Sequence, residues 1–289
     1  MVGSPYRERA TSESGAMVLF HANRPGEPGI ILWEVAAAAV CFEVLYRSFG
    51  VLFRTLAARK GVALDRKRQS IFARDGNSYA VSFVHAFVVV WRGCRHLVDQ
   101  YGAPVEAKFV QQPYGSSNEW AAGAAAIEPT NTIFLAFLVY DVSHVLLEYP
   151  RLGGMDVVAH HFLFAAASYV CGANRVFPWP FAWLIIGELS TLPLNLRWVL
   201  IQSGRGDTRL MKWTNRSFAF TFFLGRVVVY GLGLLHLFRN WHPHVEEACE
   251  RVTGLRIVCA LFVAGYLLNL IWFRRIVRVA TRPSRAADD

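Results

Sequence analysis

Cysteine is sparse and unpaired in pattern: Cys41, Cys94, Cys171, Cys249 and Cys259 are scattered over 289 residues without a CxxC. That spacing excludes a zinc ribbon and supplies no disulfide framework, so most of the five read as small apolar helix residues. Cys171 and Cys249 fall on one side of the topology derived below, and a bridge between them stays open as an alternative. No Gly-rich phosphate loop and no GxSxG nucleophile elbow occurs. Acidic charge is the scarcer sign, 21 residues against 30 basic, a formal net charge of +9. Such an excess can serve nucleic acid, but zinc-finger spacing, an aromatic RNA-binding motif and a continuous basic helix are all missing, so no nucleic-acid partner is expected. The first 29 residues hold Gly and Pro ("HANRPGEPG") and no cleavable apolar core. They read as a disordered tail, with insertion beginning at the first apolar helix.

What the chain has in quantity is apolar residues, 54% of the total, with a mean hydropathy of +0.30. That exceeds the need of a soluble domain and points to an all-α, polytopic transmembrane bundle. A hydrocarbon core roughly 30 Å thick needs about 20 mostly apolar helical residues. Seven segments approach that criterion: Ile30 to Leu56, Tyr79 to Val98, Thr130 to Leu147, Asp156 to Val170, Pro178 to Ile201, Ser217 to Phe238 and Leu255 to Val277. The fourth is short, and tilt or partial insertion is expected of it. Basic residues collect at the cytosolic ends of spanning helices. With seven helices, the basic segments "RTLAARKGVALDRKRQ", "SGRGDTRLMKWTNR" and "FRRIVRVATRPSR" share one side. The expected topology is therefore N-terminus lumenal and C-terminus cytosolic. The corresponding division is a tail over 1–29, a first helix and basic loop over 30–78, a transmembrane domain over 79–278 and a tail over 279–289.

Ionisable residues inside spans are costly and usually face a bundle interior or a wet cavity. Helical spacing aligns His85, Arg92, His96 and Asp99 in the second segment, and Asp141, His144 and Glu148 in the third. The fourth carries Asp156, with His160 one turn on and His161 beside it. The fifth lines up Glu188, Thr191 and Asn195, with Ser190 and Arg197 nearby, and Pro193 is expected to bend it. The sixth offers Arg226 and, at its mouth, Asn215. With alternating helix directions His85, Asp141, His144, Asp156, His160, His161, Asn195, Arg197 and Asn215 fall in the cytosolic half, with Glu188 and Arg226 nearer the middle, which predicts one polar chamber open to the cytosol. Pairs such as Asp156 with His160, or Glu188 with Arg226, could instead only fix packing. The adjacent histidines point about 100° apart, so one can face a substrate while the other is held by a partner. A metal held by His160, His161, His144 and a carboxylate is a further alternative, although the several histidine boxes of a di-iron oxygenase are missing. The cluster His236, His242 and His244 lies at the opposite surface and reads as solvated loop.

The ordered motifs "SFVHA", "YDVSH", "MDVVAHH…SY", "GELSTLPLNLRW" and "NRSFAFTFFLGRV" resemble the TLC-domain family, over roughly Tyr79 to Phe273. That family includes ceramide synthases, translocating-chain-associated membrane proteins and lipid-regulating proteins. The "ELSTLPLNLRW" segment looks most like the TLC domain-containing protein 4 branch. The resemblance implies residence in the endoplasmic reticulum or a related endomembrane, membrane lipids as partners, and a lipid ligand in the chamber. In ceramide synthases the histidine pair serves acyl-CoA-dependent N-acylation of a sphingoid base, which carries over to His160 and His161, with Ser168 and Tyr169 trailing. Where those enzymes have HDxSD, this chain reads "GELST": Glu188 replaces the first acid and Ser190 matches, while Gly187 and Thr191 lack the other His and Asp.

Two functions follow. The favoured one is lipid binding in membrane lipid homeostasis, with His85, Asp141, His144, Ser190, Asn195, Arg197 and Arg226 lining the ligand site. The alternative is a lipid N-acyltransferase, in which His160 or His161, oriented by Asp156 or Glu188, removes a proton from an attacking amine or hydroxyl or accepts the acyl group. Its partners would be acyl-CoA as co-substrate and a sphingoid base. No resident cofactor or metal is expected, and a homodimer is left open.

Overall fold

A computed structural model describes residues 30–58, 66–110 and 126–281. The two tails, part of the first basic loop and the 111–125 stretch of the following connection lie outside the described residues, so the expectations placed on them go no further here. The described chain is helical, and its one strand-like contact is an isolated antiparallel bridge between Val110 and Val176. The helices are α1 (Leu32–Ala58), α2 (Arg66–Gln100), α3 (Val105–Phe109), α4 (Ile127–Leu147), α5 (Met155–Ala173), α6 (Pro178–Gln202), α7 (Arg209–Arg239), α8 (Glu246–Arg251) and α9 (Leu255–Ala280).

Five of these, α1, α4, α6, α7 and α9, are long and apolar enough to cross a membrane. They identify an integral membrane protein. The other two long helices fall short in apolarity rather than in length. α5 carries Asp156 and the histidine pair, and α2 opens on a run of basic residues and holds Ser78, Ser82 and His85. The observed helices overrun the apolar segments at several ends, most clearly at Arg66 and Arg209, where charged turns extend past the apolar stretch.

Local chemistry sets several boundaries. Thr208 caps α7 by accepting the Met211 amide at 3.2 Å. Pro178 stands in the first turn of α6, where its missing N–H is not needed. Close packing then relies on small residues. A Cβ on Gly76 would lie 2.2 Å from the Phe53 ring, and one on Gly233 would lie 2.3 Å from Trp183, so α1 meets α2 and α7 meets α6 at distances only glycine allows. A polar lock joins α4 to α5: Asn131 Nδ2 donates to the Ser168 carbonyl at 3.0 Å, and Ser168 Oγ donates back to Asn131 Oδ1 at 2.6 Å.

The principal core gathers at one end of the bundle, where α3 and α8 close it. Phe109, Phe177, Leu237, Val245, Leu255 and Phe262 are each no more than 1% exposed there. Cys171, Cys249 and Cys259 belong to the same core as free thiols, so the bridge between Cys171 and Cys249 is not formed. Burial raises the Cys249 thiol above its ordinary range.

Candidate functional site

At the opposite end the bundle opens around a cavity of about 610 Å3. It is lined from the first part to the middle of α2, α5 and α7 and from the middle to the last part of α4, α6 and α9. This alternation is that of an up-and-down bundle, and it brings residues far apart in sequence to one depth. Its size lies within the range of about 300–1,000 Å3 typical of small-ligand pockets.

The histidine pair divides its tasks. His161 is nearly buried, and both of its ring nitrogens are engaged: Nε2 lies 2.8 Å from Asp141 Oδ2 and Nδ1 lies 2.8 Å from the Val157 carbonyl. Both nitrogens are thus in contact with protein oxygens, and neither is left free for a further partner. His160 is different. Its Nδ1 is buried without a hydrogen-bond partner, and its ring packs on Phe164 and Trp272, with centroids 4.7 and 5.2 Å away. It lines the cavity unheld by any carboxylate.

Glu188 is fixed by a different route. Residues Ile186–Ser190 form a 3₁₀ turn inside α6, and Pro193 just beyond cannot supply the amide that would bond the Leu189 carbonyl. Opposite this turn, α7 widens into a π-helical segment, Phe223–Val229, which carries Arg226. The Arg226 guanidinium donates to the Gly187 carbonyl and Ser190 Oγ, both at 3.0 Å, and to Glu188 Oε1 at 3.1 Å. Thr191 Oγ1 donates to the other Glu188 oxygen at 2.8 Å. Two irregular turns therefore meet through one buried ion pair, worth retaining because either charge alone would be stranded.

Of the residues expected from sequence, His85, Asp141, Asp156, His160, His161, Glu188, Ser190, Asn195, Arg197 and Arg226 all line the cavity. His144 does not. It turns to α1, where Nε2 lies 2.9 Å from Glu43 Oε2 and the ring packs on Tyr46 at 4.3 Å. The reason is that α4 is central, so residues only 60° apart on it meet different neighbours. The metal set including His144 comes apart with it, and among the described residues no three His, Cys, Asp or Glu side chains are placed to hold an ion. The orienting roles also change hands. Asp141, not Asp156 or Glu188, holds a histidine of the pair, while Asp156 accepts from Trp272 Nε1 at 3.2 Å and lies 3.5 Å from Arg275. Arg92 and His96, aligned with His85 by their spacing, meet Thr130 toward the other end of α2.

His85 is 1% exposed, and neither ring nitrogen has a partner. Its ring lies flat on Phe137, 3.7 Å between centroids with a 7° tilt. Beside it on the cavity wall, Asn195 Nδ2 donates to Ser82 Oγ at 3.1 Å. At the rim Arg197 donates to Asn215 Oδ1 at 3.0 Å.

The largest omission from the sequence reading is α9. Its Asn269, Trp272 and Arg275 line the cavity and recur at three-residue steps within "NLIWFRR". That spacing was a usable signal, since Asn269 interrupts an otherwise apolar run. Tyr79, Ser82 and Trp198 also line it, and Tyr79 stacks on Trp198 at 4.1 Å.

In comparisons with known proteins, the profile of the TLC domain matches residues 75–278. No curated protein matches the chain.

Proposed function

Because the chain belongs to the TLC-domain family, we propose that it is a multi-pass membrane protein of lipid homeostasis, holding a lipid or acyl chain in the polar chamber. The observation that carries this reading is the split within the histidine pair. The imidazole oriented by a carboxylate, His161, has no nitrogen left for a substrate, and the imidazole that reaches the cavity, His160, has no group to orient it. General-base catalysis needs both properties in one side chain. Binding needs neither. His85 and His160 line, beside the polar groups of Asp141, Ser190 and Asn195, a cavity also walled by Phe134, Phe137, Leu138 and Phe164, a mixture that suits a lipid with a polar head.

The acyltransferase reading is second, supported by His160 reaching the cavity. In it His160 would take the proton from an amine such as that of a sphingoid base, with acyl-CoA as donor. The departure at "GELST" weighs against it, because Gly187 and Thr191 stand where ceramide synthases have His and Asp, and the likeness of "ELSTLPLNLRW", with "SFVHA" upstream, is why we place the chain nearer the TLC domain-containing protein 4 branch. Seven long helices with a lumenal N-terminus, a cytosolic C-terminus and residence in the endoplasmic reticulum complete the proposal. All of the basic connections then share the cytosolic side.

The test is chemical. Purified protein is assayed for acyl transfer from acyl-CoA to sphingoid bases and lysolipids, and its retained lipid is identified by mass spectrometry. We expect retained lipid and no transfer, with retention lost in Ser82→Trp, which places an indole in the cavity. Acyl transfer abolished in His160→Ala would overturn the binding reading in favour of the enzyme. A lumenal C-terminal tag, read by protease protection, would overturn the topology.

A further inference from the structure

The chamber leaves a set of basic residues unused on its two neighbouring helices. On α7 they are Arg209, Lys212 and Arg216, and on α9 Arg274 and Arg278, all exposed. Neither helix contains an Asp or a Glu. Among the described residues none of the five has a carboxylate partner. Arg275 differs, since it lines the chamber and lies 3.5 Å from Asp156.

Helix geometry gathers the five on one side. α7 and α9 run antiparallel and meet through Phe273, whose ring lies 6.3 Å from that of Phe222 and 5.4 Å from that of Phe223. On one flank of this contact Phe218 and Phe222 of α7 and Asn269, Trp272 and Ile276 of α9 line the chamber. At about 100° per residue, Lys212, Arg216 and Phe223 fall on the other flank of α7, and Arg274, Val277 and Arg278 fall on the matching flank of α9. Counted from the shared level of the phenylalanines, Arg216 and Arg278 stand at similar height, with Arg274 about one turn deeper.

The result is a seam on the outer face of the bundle. Its floor is apolar, with Phe223 and Val277 each 42% exposed on helices able to cross a membrane. Trp213 is 64% exposed at the head of α7, and the Arg216 guanidinium stands 5.6 Å from its ring, a side chain suited to the head-group level. The bias of basic residues toward the cytosol is satisfied by charges on any face, so it does not account for their collection on one flank. An arginine such as Arg274, turned outward within an apolar stretch, is costly unless an anion meets it. Guanidinium forks match phosphate oxygens in pairs, and three forks beside Lys212 exceed the single charge of a phosphodiester.

We propose that the seam between α7 and α9 binds a polyanionic phospholipid, one whose head group carries a phosphate besides its diester. Arg216, Arg274 and Arg278 take the phosphates, and an acyl chain lies along Phe223. The seam faces away from the chamber and does not depend on its reading.

The experiment uses the full chain in an uncharged maltoside detergent, with binding read by native mass spectrometry. The probes are dioctanoyl phosphatidylinositol 4,5-bisphosphate, dioctanoyl phosphatidylserine, dioctanoyl phosphatidylcholine and soluble inositol 1,4,5-trisphosphate. The bisphosphate lipid should bind about ten-fold or more tightly than phosphatidylcholine, with phosphatidylserine between them, because each basic residue near the head groups adds to the attraction. Arg216→Gln, Arg274→Gln and Arg278→Gln together should erase that preference without moving the unfolding temperature of the lipid-free protein. Arg278→Gln alone, near the end of α9, should lower it about three-fold and serves where the triple variant is unstable. Removing as many charges elsewhere at the basic end, by Arg54→Gln, Arg66→Gln and Lys67→Gln, should leave it intact. Equal binding of the bisphosphate and choline lipids, a preference that survives the triple variant, or an equal loss in the control would overturn the proposal. Phosphatidylserine binding as tightly as the bisphosphate lipid would overturn the assignment of a second phosphate, and inositol trisphosphate doing so would overturn the assignment to a membrane lipid.

Discussion

The two ends of this bundle are built on opposite terms. At one end α3 and α8 seal a core of Phe109, Phe177, Trp183 and Phe262, with aromatic rings in edge and tilted contact. At the other end the same helices separate around a cavity and fill its wall with carboxylates, imidazoles and guanidinium groups. Packing at the sealed end is dense enough that a missing methylene is felt, whereas the open end leaves a cavity of about 610 Å3 unfilled. The contrast assigns stability to one end and ligand contact to the other, and each half of that assignment can be broken separately.

The largest effect is expected at the sealed end. Phe177 is fully buried and touches both Phe109 and Phe262. Phe177→Ala should cost about 3–5 kcal/mol, lost transfer energy plus the cavity left behind. Thermal unfolding in detergent measures this, and a change below about 1 kcal/mol would mean that the sealed end is not the keystone.

Next comes the joint between the ends, Arg226 with Glu188. Arg226→Ala strands a mostly buried carboxylate and should destabilise by about 3 kcal/mol, because the penalty is the unpaired charge rather than the lost attraction. Adding Glu188→Gln should restore much of the loss. A double variant as unstable as the single would show that Arg226 acts through the Gly187 carbonyl and Ser190 instead.

The pair of Asp141 and His161 tests the open end itself. Asp141→Asn keeps the shape but replaces one carboxylate oxygen by an NH2 group and removes the charge, so the His161 ring loses its charged acceptor. The expected loss is about 1.5–3 kcal/mol, that of a hydrogen bond to a charged group. His161→Ala in the Asp141→Asn background should then add little, because contacting residues are non-additive.

These expectations show which features the chain displays openly. The long helices announce themselves by apolar length, and even α2 and α5, which fall short in apolarity, do so because they carry the polar residues that build the chamber. The polar residues on α2, α5, α6 and α7 were legible from their cost in a membrane. Of their partners, the pair of Glu188 and Arg226 was legible and is formed, whereas the partner of His161 was not. Asp141 and His161 sit on different helices, and which acid meets which base depends on helix rotation that only packing fixes. His144 makes the point from the other side: it follows Asp141 by three residues, yet the centrality of α4 hands it to Glu43 on α1. The 3₁₀ and π-helical turns were equally hidden, since only the missing amide of Pro193 hints at one of them.

The smallest effect on stability should also be the most informative. His160 forms no hydrogen bond through Nδ1 and packs by its ring against Phe164 and Trp272, so His160→Phe preserves the aromatic contact and removes only the polar atoms. Replacing an unsatisfied buried polar group by an apolar one of similar shape is close to neutral or stabilising. The unfolding temperature of the lipid-free protein should therefore hold or rise slightly. Lipid retention should fall, because the variant withdraws the hydrogen bond offered to the head group. A protein that loses stability but keeps its lipid would reverse the assignment, making His160 part of the scaffold and leaving His85, the other unpartnered imidazole on the wall, as the group that meets the ligand.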